Sequence, residues 1–444
     1  MSDLDPMLLK CEFDRLSATR HMGHVACVAR GVIEVAGLES HARIGDHVTL
    51  RRRNGPALAG EVLHVEADLI HMLPATAPDG VCLGDRVILQ QTPAFAPGMH
   101  WLGRVIDPFG QPLDGKPLLQ GVQTQDIMQA PPAAVDRKPL GARMETGLAM
   151  LNTMLPLVQG QRVGLFAGSG VGKSTLLATL ARSMQADAVV VALVGERGRE
   201  VNEFVEYALG SEGMRRSVVV AATSDQSALA RRRCAWSAMS VAEYLRDQGM
   251  NILFLADSVT RFAEAHREIA VATGEQPSLR GFPPSVTPLI AGLCERAGPG
   301  KGEQGDITAV FSVLVAGSDM DEPIADILRG VLDGHIVLSR EIAERGRFPA
   351  IDLSRSVSRS LPNAATEEEN LLISQTRRLV GSYEQSEVMI KAGLYSEGAD
   401  PLLDQAVRVH DELDAFFARS ETDGIKNSFD RLQLILRRSG TALA

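Results

Sequence analysis

The segment Ala167-Gly-Ser-Gly-Val-Gly-Lys-Ser174 has the residue types and the spacing of a loop that binds a chain of phosphates. An apolar run, Val163–Ala167, precedes it and a helical pattern follows it, which is the order that such a loop requires. Its glycines let backbone N–H groups turn onto an anion, and the positive end of the following helix points at the same place. The general pattern begins with glycine, and Ala167 is a small residue that fits the same position.

Two side chains of this loop have predicted roles. Lys173 is expected to reach the β- and γ-phosphates of a nucleoside triphosphate, and the Ser174 hydroxyl is expected to ligate Mg²⁺. The predicted nucleotide contacts run from the loop into the helix: Gly168, Ser169, Gly170, Val171, Gly172, Lys173, Ser174 and Thr175. A glycine-rich connection that binds nothing is the alternative, which the surrounding strand and helix patterns disfavour.

A carboxylate for the metal and a group that orients water are also needed. The apolar run Asn251–Asp257 ends in an acid, so Asp257 is expected to hold Mg²⁺ through its water shell. Glu196 follows the run Ala188–Val194 and is the candidate general base, with Arg197 beside it and Glu200 in support. Spacing alone is equally compatible with Glu196 being a solvated loop residue.

Phosphoryl transfer also gains from a positive charge on the developing oxygens, by about 10³–10⁵ in rate when an arginine supplies it. Arg355 and Arg359 lie well downstream of the phosphate loop and are candidates for this role. The sequence does not distinguish between them, nor does it say whether the site belongs to the same subunit. A surface salt bridge is the alternative for each.

These residues need a sheet that brings them together. Five apolar runs alternate with helical stretches, which is typical of a parallel sheet covered by helices on both faces. The runs are Val163–Ala167, Ala188–Val194, Val218–Ala222, Ile252–Ala256 and Ala309–Val315. The predicted fold is α/β, with a P-loop core of parallel strands between two smaller domains.

The flanking regions have different textures. Short β-type runs separated by glycine and proline turns predict a small β-barrel over residues 25–92, and residues 362–444 are predicted to be helical. The core then spans residues 93–361. Residues 1–24 carry a short amphipathic helix, predicted over 3–19, which either packs on its own domain or docks a partner.

Composition limits the function classes. The chain has 444 residues, 45 Lys and Arg against 55 Asp and Glu, and a net charge of −10. With only 4 % aromatic residues and none between Gly31 and Gln91, a nucleic-acid partner is not expected. The five cysteines fit unpaired thiols in a reducing compartment, and neither an export signal nor a membrane-spanning run is recognised, so a cytoplasmic location is expected.

Several motifs, in this order, resemble those of the rotary-type hexameric ATPases, the family of the ATP synthase catalytic subunit. Within that family the chain is most similar to the ATPases of type III protein export. The similarity covers most of residues 25–420. Besides the phosphate loop, the motifs are Leu102–Gly115, Gly195–Glu200, Ala222–Ser227, Asp257–Ala263, Gly281–Ser285 and Arg345–Asp352.

The resemblance implies residue roles and an assembly. It places Glu196 at the catalytic glutamate, Arg359 at an arginine finger donated across a subunit boundary, and Phe348 against the adenine ring. A core phenylalanine is the alternative for Phe348. Because one chain carries Lys173, Glu196 and Arg359, a homohexamer is expected.

The resemblance also implies partners: a regulatory stalk protein at the N-terminal helix, a coiled-coil central stalk at the pore-facing loop Thr273–Pro284, membrane proteins of the export gate, and export chaperones with their cargo. It places the ring at the inner face of the cytoplasmic membrane. The overall sequence pattern of the chain, including the segment Leu394–Ala406, favours the flagellar branch over the injectisome branch.

Two rivals from other classes are an RNA-dependent helicase and a non-catalytic subunit of a rotary ATPase. The helicase needs aromatic side chains for base stacking, which the barrel segment lacks. The non-catalytic subunit would lack either the glutamate or the finger, and this chain has both Glu196 and Arg359.

Overall fold

The computed structural model describes residues 6–14, 19–29, 31–90, 95–315, 320 and 322–439. Helix α1, Pro6–Asp14, lies within the helix predicted for residues 3–19, and the remainder of that prediction falls partly outside the described residues. Met7 and Phe13 of α1 are exposed. None of the helices in the described part of the chain is long and apolar enough to cross a membrane.

Six antiparallel strands close into a small barrel, which confirms the predicted β-barrel. They are β1 (Met22–Ala29), β2 (Val32–Ala36), β3 (His47–Arg51), β4 (Leu58–Val65), β5 (Ile70–Pro74) and β6 (Arg86–Leu89). Their order around the barrel is β1-β2-β5-β4-β3-β6, with β6 pairing back onto β1. Alternate side chains point inward, so Ile33, Leu50, Ile70 and Met72 fill the interior.

The five predicted strands form the centre of a second sheet and run parallel to one another. They are β8 (Arg162–Ala167), β9 (Ala188–Glu196), β10 (Ser217–Thr223), β11 (Ile252–Asp257) and β13 (Asp306–Leu314). Their order is β8-β13-β11-β9-β10. Because their carboxyl ends meet at one edge, the phosphate loop, Glu196 and Asp257 are brought to the same edge.

Four further strands extend this sheet: β7 (Arg104–Ile106), β12 (Gly298–Pro299), β14 (Gly334–Leu338) and β15 (Ile351–Ser358). Strand β14 pairs parallel to β8, and β15 pairs antiparallel to β14 at the edge of the sheet. Strand β15 was not expected from the sequence. It alternates buried and exposed residues, as an edge strand does, and so lacks the continuous apolar run of the central strands.

Helices cover both faces of the sheet. They are α2 (Ala149–Thr153), α3 (Lys173–Ser183), α4 (Gly198–Glu203), α5 (Gly210–Arg215), α6 (Ala228–Asp247), α7 (Val259–Ala272), α8 (Val286–Arg296), α9 (Pro323–Val331) and α10 (Arg340–Glu344). On one face Val189 and Val191 of β9 pack in the cluster that contains α3. On the other face Val190 and Ala192 pack in the cluster that contains α6, so β9 is buried on both sides.

Three helices complete the chain, as predicted: α11 (Glu367–Lys391), α12 (Pro401–Phe417) and α13 (Gly424–Arg438). A capping box starts α11, in which the Thr366 hydroxyl accepts from the Glu369 N–H and the Glu369 carboxylate accepts from the Thr366 N–H. Glu369 also pairs with Arg143 at 2.7 Å, which ties α11 to the core. The domain limits given above stay a prediction.

Candidate active site

The phosphate loop begins where β8 ends at Ala167 and passes directly into α3 at Lys173. Gly170 and Gly172 have φ angles of +78° and +88°, a conformation that favours glycine, so the chain can turn its N–H groups inward there. A Cβ on Gly172 would also lie 3.3 Å from the ring of Phe348, a tight contact that only a shift of the ring would relieve. The predicted phosphate loop therefore has the required strand, turn and helix geometry.

Lys173 lies among acids rather than in open solvent. Its Nζ donates a very short hydrogen bond to Oδ1 of Asp257 and lies 3.9 Å from Oε1 of Glu196. Asp257 ends β11 and is buried, with its carboxylate 4 % exposed. The structure thus brings together three residues that are far apart in sequence and were predicted to act on the same triphosphate.

The carboxyl group of Glu196 is held in an unusual environment. Burial, the negative charge of Asp257 and a hydrogen bond with Glu200 raise its pKa to about 7, and the charge of Lys173 opposes this rise. A carboxyl group with a pKa near neutrality can accept and release protons at working pH, which suits a general base. The alternative of a solvated loop glutamate does not fit, because the side chain is only 18 % exposed.

Arg197 points away from this cluster. Its side chain is 76 % exposed and pairs loosely with Glu200 at 3.6 Å, so the described conformation does not bring it to the loop. Arg261 at the start of α7 donates a hydrogen bond to Glu264, which raises the pKa of Arg261, and the charges of Glu264, Glu196 and Glu200 add to this rise. The negative charge of Glu196 thus acts on Arg261 as well as on Lys173.

A cavity of about 330 Å³ opens beside these residues. It is lined on one side by Ser174, Thr175, Glu196 and Asp257, and on the other by the π-helical turn Phe204–Leu209 that follows α4. A hydroxyl and carboxylates converging on one space are the hard oxygen donors that Mg²⁺ prefers. The residues present therefore fit a Mg²⁺–nucleotide at this edge of the sheet.

Phe348 lies immediately before β15, at the same edge as the phosphate loop. Its ring is 50 % exposed and contacts the space beside Gly172. A core phenylalanine would be buried, so the exposed ring fits its expected role against a base better than the alternative does.

Arg359 directly follows β15, at the end of the sheet where β8 begins rather than at the end that carries the phosphate loop. Its N–H donates to Asp333 O, and the N–H of Asp333 donates to the carbonyl of Arg162, the first residue of β8. The phosphate loop follows the last residue of β8, Ala167, which is five residues or roughly 16 Å further along the strand. Arg359 is exposed, and its Nη2 donates to Arg329 O at 3.0 Å. It is thus far from the phosphate loop of its own chain.

Arg355 lies further back along β15. Its carbonyl accepts a hydrogen bond from His335 at 3.0 Å, and its side chain is on an exposed stretch of the strand. Like Arg359, it is not among the residues that line the cavity at the phosphate loop.

Two polar residues near the site were not assigned roles by the sequence analysis. Ser312, inside the predicted strand Ala309–Val315, donates to Oδ1 of Asp257 at 2.8 Å. Arg261 lies inside the motif Asp257–Ala263. Both are polar residues within segments that the sequence predicted to lie near the active site. The strand register that places Ser312 beside Asp257, however, cannot be read from the sequence.

A parallel sheet that carries a phosphate loop, with two acid-bearing strands ending at the same edge, defines a RecA-like P-loop nucleoside triphosphatase. Residues 147–358 match the model of the ATP synthase alpha/beta family, nucleotide-binding domain, and residues 365–433 match that of the T3SS EscN ATPase C-terminal domain. The chain therefore belongs to the ATP synthase alpha/beta family, and within it to the ATPases of type III export. It is an ATP hydrolase.

Individual relatives agree with this assignment. The chain is 43 % identical to the flagellum-specific ATP synthase of Caulobacter vibrioides, over 96 % of this chain and 98 % of the relative. It is 39 % identical to the type 3 secretion system ATPase of Xanthomonas euvesicatoria, over 96 % of both chains. The assembled ATPase EscN of enteropathogenic E. coli has a similar structure, with a TM-score of 0.85 and 35 % identity over 93 % of this chain and 100 % of that one. The helicase and non-catalytic alternatives are not favoured.

Proposed function

We propose that this chain hydrolyses Mg²⁺-bound ATP to energise protein export through a flagellar type III apparatus. The observation that carries the proposal is the convergence of Lys173, Asp257 and Glu196 at the end of the phosphate loop. The chain is 43 % identical to the flagellum-specific relative named above and 39 % identical to the secretion-system relative, a small margin on which we propose the flagellar branch over an injectisome.

Each residue at the loop has a distinct task. The backbone from Gly168 to Gly172 cradles the phosphates, and Lys173 leaves Asp257 to bind their β- and γ-oxygens. Ser174 would hold Mg²⁺ directly and Asp257 through water, and the ion when bound neutralises charge on the phosphate oxygens. Thr175 lines the same space.

Glu196 orients the attacking water and takes its proton. With a pKa of about 7, the carboxyl group of Glu196 is partly deprotonated near neutral pH. It can therefore accept a proton and release it again, even with the positive charge of Lys173 nearby. Arg197, which was expected to assist, is turned outward in the described conformation and would need to rotate inward to reach the phosphates.

A complete site needs a second copy of the chain. Arg359 lies at the edge of the sheet opposite its own phosphate loop, so it can act as an arginine finger only on the nucleotide of a neighbour. The same chain carries both halves of the site, which is the requirement for a closed ring of identical subunits. We infer a homohexamer, an inference that the assembled EscN structure supports.

Partners are assigned to exposed elements. EscN has been solved in complex with its central stalk EscO, which supports a stalk partner for this chain, and we propose the loop Thr273–Pro284 as its contact. That loop is closed at its base, because Glu275 accepts hydrogen bonds from the N–H and hydroxyl of Ser285 at 3.0 and 2.6 Å. Helix α1 is the proposed contact for the regulatory stalk protein. The other proposed partners are membrane proteins of the export gate, and export chaperones with their cargo. The ring is proposed to lie in the cytoplasm, at the inner face of the membrane.

The test separates binding from hydrolysis. Glu196→Gln should bind Mg²⁺-ATP with near-parental affinity and lose nearly all hydrolysis, because the phosphate cradle remains while the base is removed. Lys173→Ala serves as the contrast, since it should lose binding and hydrolysis together. Nucleotide binding is measured by calorimetry and hydrolysis by phosphate release. Hydrolysis by Glu196→Gln at the parental rate would show that another group activates water.

A further inference from the structure

The carboxylate of Asp257 has a second hydrogen-bond donor besides Lys173. Ser312 lies on β13, which pairs with β11 in the register Ala256 with Phe311, so Ser312 is next to Asp257 across the strands. Its hydroxyl donates to Oδ1 of Asp257 at 2.8 Å, and the residue is fully buried. Lys173 donates to the same oxygen. Two donors thus converge on Oδ1, and neither of them engages Oδ2.

The hydroxyl of Ser312 is costly to bury without a partner. Phe311 and Val313 point to the other face of β13, and on the face of Ser312 the residue two positions back, Val310, is apolar and buried. A buried hydroxyl without a hydrogen bond destabilises the fold, so the proton of Ser312 is directed to Asp257. The hydroxyl of Ser312 is thus satisfied by Asp257.

The two donors differ in what happens to them when nucleotide binds. Under the proposed function Lys173 binds the phosphates, so it must give up its contact with Asp257. Ser312 is fixed in a central strand and has no reason to move. It is also uncharged, so it orients the carboxylate without cancelling the negative charge that attracts the metal's water shell.

We propose that Ser312 is a positioning residue that holds Oδ1 of Asp257, so that Oδ2 stays directed at the water shell of Mg²⁺ after Lys173 has moved to the phosphates. The proposal rests on the proposed function, because it assumes that Asp257 serves the metal. It adds a residue that acts through Asp257 and touches neither nucleotide nor metal.

The experiment compares nucleotide binding with and without metal. Binding of a fluorescent ADP analogue to the full-length protein is titrated against Mg²⁺ and repeated in excess chelator. Ser312→Ala should raise the Mg²⁺ concentration for half-maximal binding by about tenfold, the scale seen when a group that orients a metal ligand is removed. Its metal-free binding should stay within about twofold of the parent, because the phosphate cradle is intact.

Three further variants sharpen the result. Ser312→Thr keeps the hydroxyl and should restore most of the Mg²⁺ dependence. Ser217→Ala is the matched control, since Ser217 is an equally buried serine at the start of β10 whose hydroxyl donates to Gly213 O at 2.7 Å. It should leave the Mg²⁺ dependence unchanged. If Ser312→Ala does not fold, Ser312→Cys, with a similar volume and a weaker donor, should shift the Mg²⁺ dependence in the same direction.

The outcomes are distinct. Parental Mg²⁺ dependence in Ser312→Ala, or equal weakening with and without metal, overturns the positioning role, and the second result would mark Ser312 as a packing residue. Asp257→Asn tells the two proposals apart. If Asp257→Asn alters the Mg²⁺ dependence of binding while Ser312→Ala does not, only the positioning role of Ser312 fails. If Asp257→Asn leaves the Mg²⁺ dependence unaltered, the metal role of Asp257 fails, and both proposals depend on that role.

Discussion

Replacing Glu200 with glutamine should shift the pH dependence of ATP hydrolysis towards acid pH. Glu200 raises the pKa of Glu196 in two ways, through a hydrogen bond and through its negative charge. Glutamine removes the charge, and its amide can donate to the Glu196 carboxylate, which favours the deprotonated form. Burial and the charge of Asp257 are untouched, so the pKa of Glu196 should fall part of the way towards its ordinary value.

The size of the effect follows from the pKa of about 7. At pH 6 a base with that pKa is deprotonated in about one molecule in ten. Each further pH unit towards acid lowers the deprotonated fraction about tenfold, which corresponds to about 1.4 kcal/mol. Removing one neighbouring charge lowers the pKa by about one unit at most here, since Glu200 is 38 % exposed and partly screened. At pH 6 the active fraction then rises to about one half, a gain of about fivefold, while at pH 8 it changes little.

The assay is kcat/KM for ATP between pH 5.5 and pH 8.5, because this ratio reports the pKa of the free enzyme, the state described here. Glu203→Gln is the matched control, as Glu203 is also on α4 and pairs with Arg199 at 3.0 Å. It should leave the profile unchanged. A parental profile that is flat below pH 7, or one that Glu200→Gln does not move, would refute Glu196 as the titrating base.

Three more results are expected. Arg359→Ala mixed with excess Lys173→Ala should regain ATPase activity through mixed interfaces, and no recovery in rings shown by sizing to be mixed would contradict action across subunits. Phe348→Ala should weaken ADP binding by about 0.5–1.5 kcal/mol in calorimetry, the scale of one aromatic stacking contact, yet leave tripolyphosphate binding unchanged. Equal weakening of both ligands would instead assign Phe348 to the shape of the loop. Deleting residues 1–19 should preserve the melting temperature, because the buried clusters contain no residue of α1, and should abolish binding of the regulatory stalk protein.

The sequence predicted the central sheet well and its edge poorly. The five parallel strands are continuous apolar runs because both of their faces are covered, and such runs stand out in any sequence. Strand β15 has one face towards solvent and alternates buried with exposed residues, so its pattern competes with that of a loop. Arg355 lies on this strand and Arg359 directly follows it, so the sequence did not place either of them.

Arg197 is next to Glu196 in sequence, yet its side chain lies away from the site in the described conformation. Sequence proximity to Glu196 favoured it, but successive residues at the end of a strand point in opposite directions. Arg261, from the start of another helix, instead packs against Gly195, where an added Cβ would lie 3.3 Å from the Cβ of Arg261.

By itself the sequence determined the phosphate loop, because all of that motif's chemistry lies in eight consecutive residues and depends on backbone conformation that glycine permits. Tertiary structure alone decided three things: that Ser312 meets Asp257, that the pKa of Glu196 rises to about 7, and that Arg359 lies at the edge away from its own loop. Strand register sets the first and third, and burial among charges from distant segments sets the second. Both are products of long-range packing, which no local pattern records.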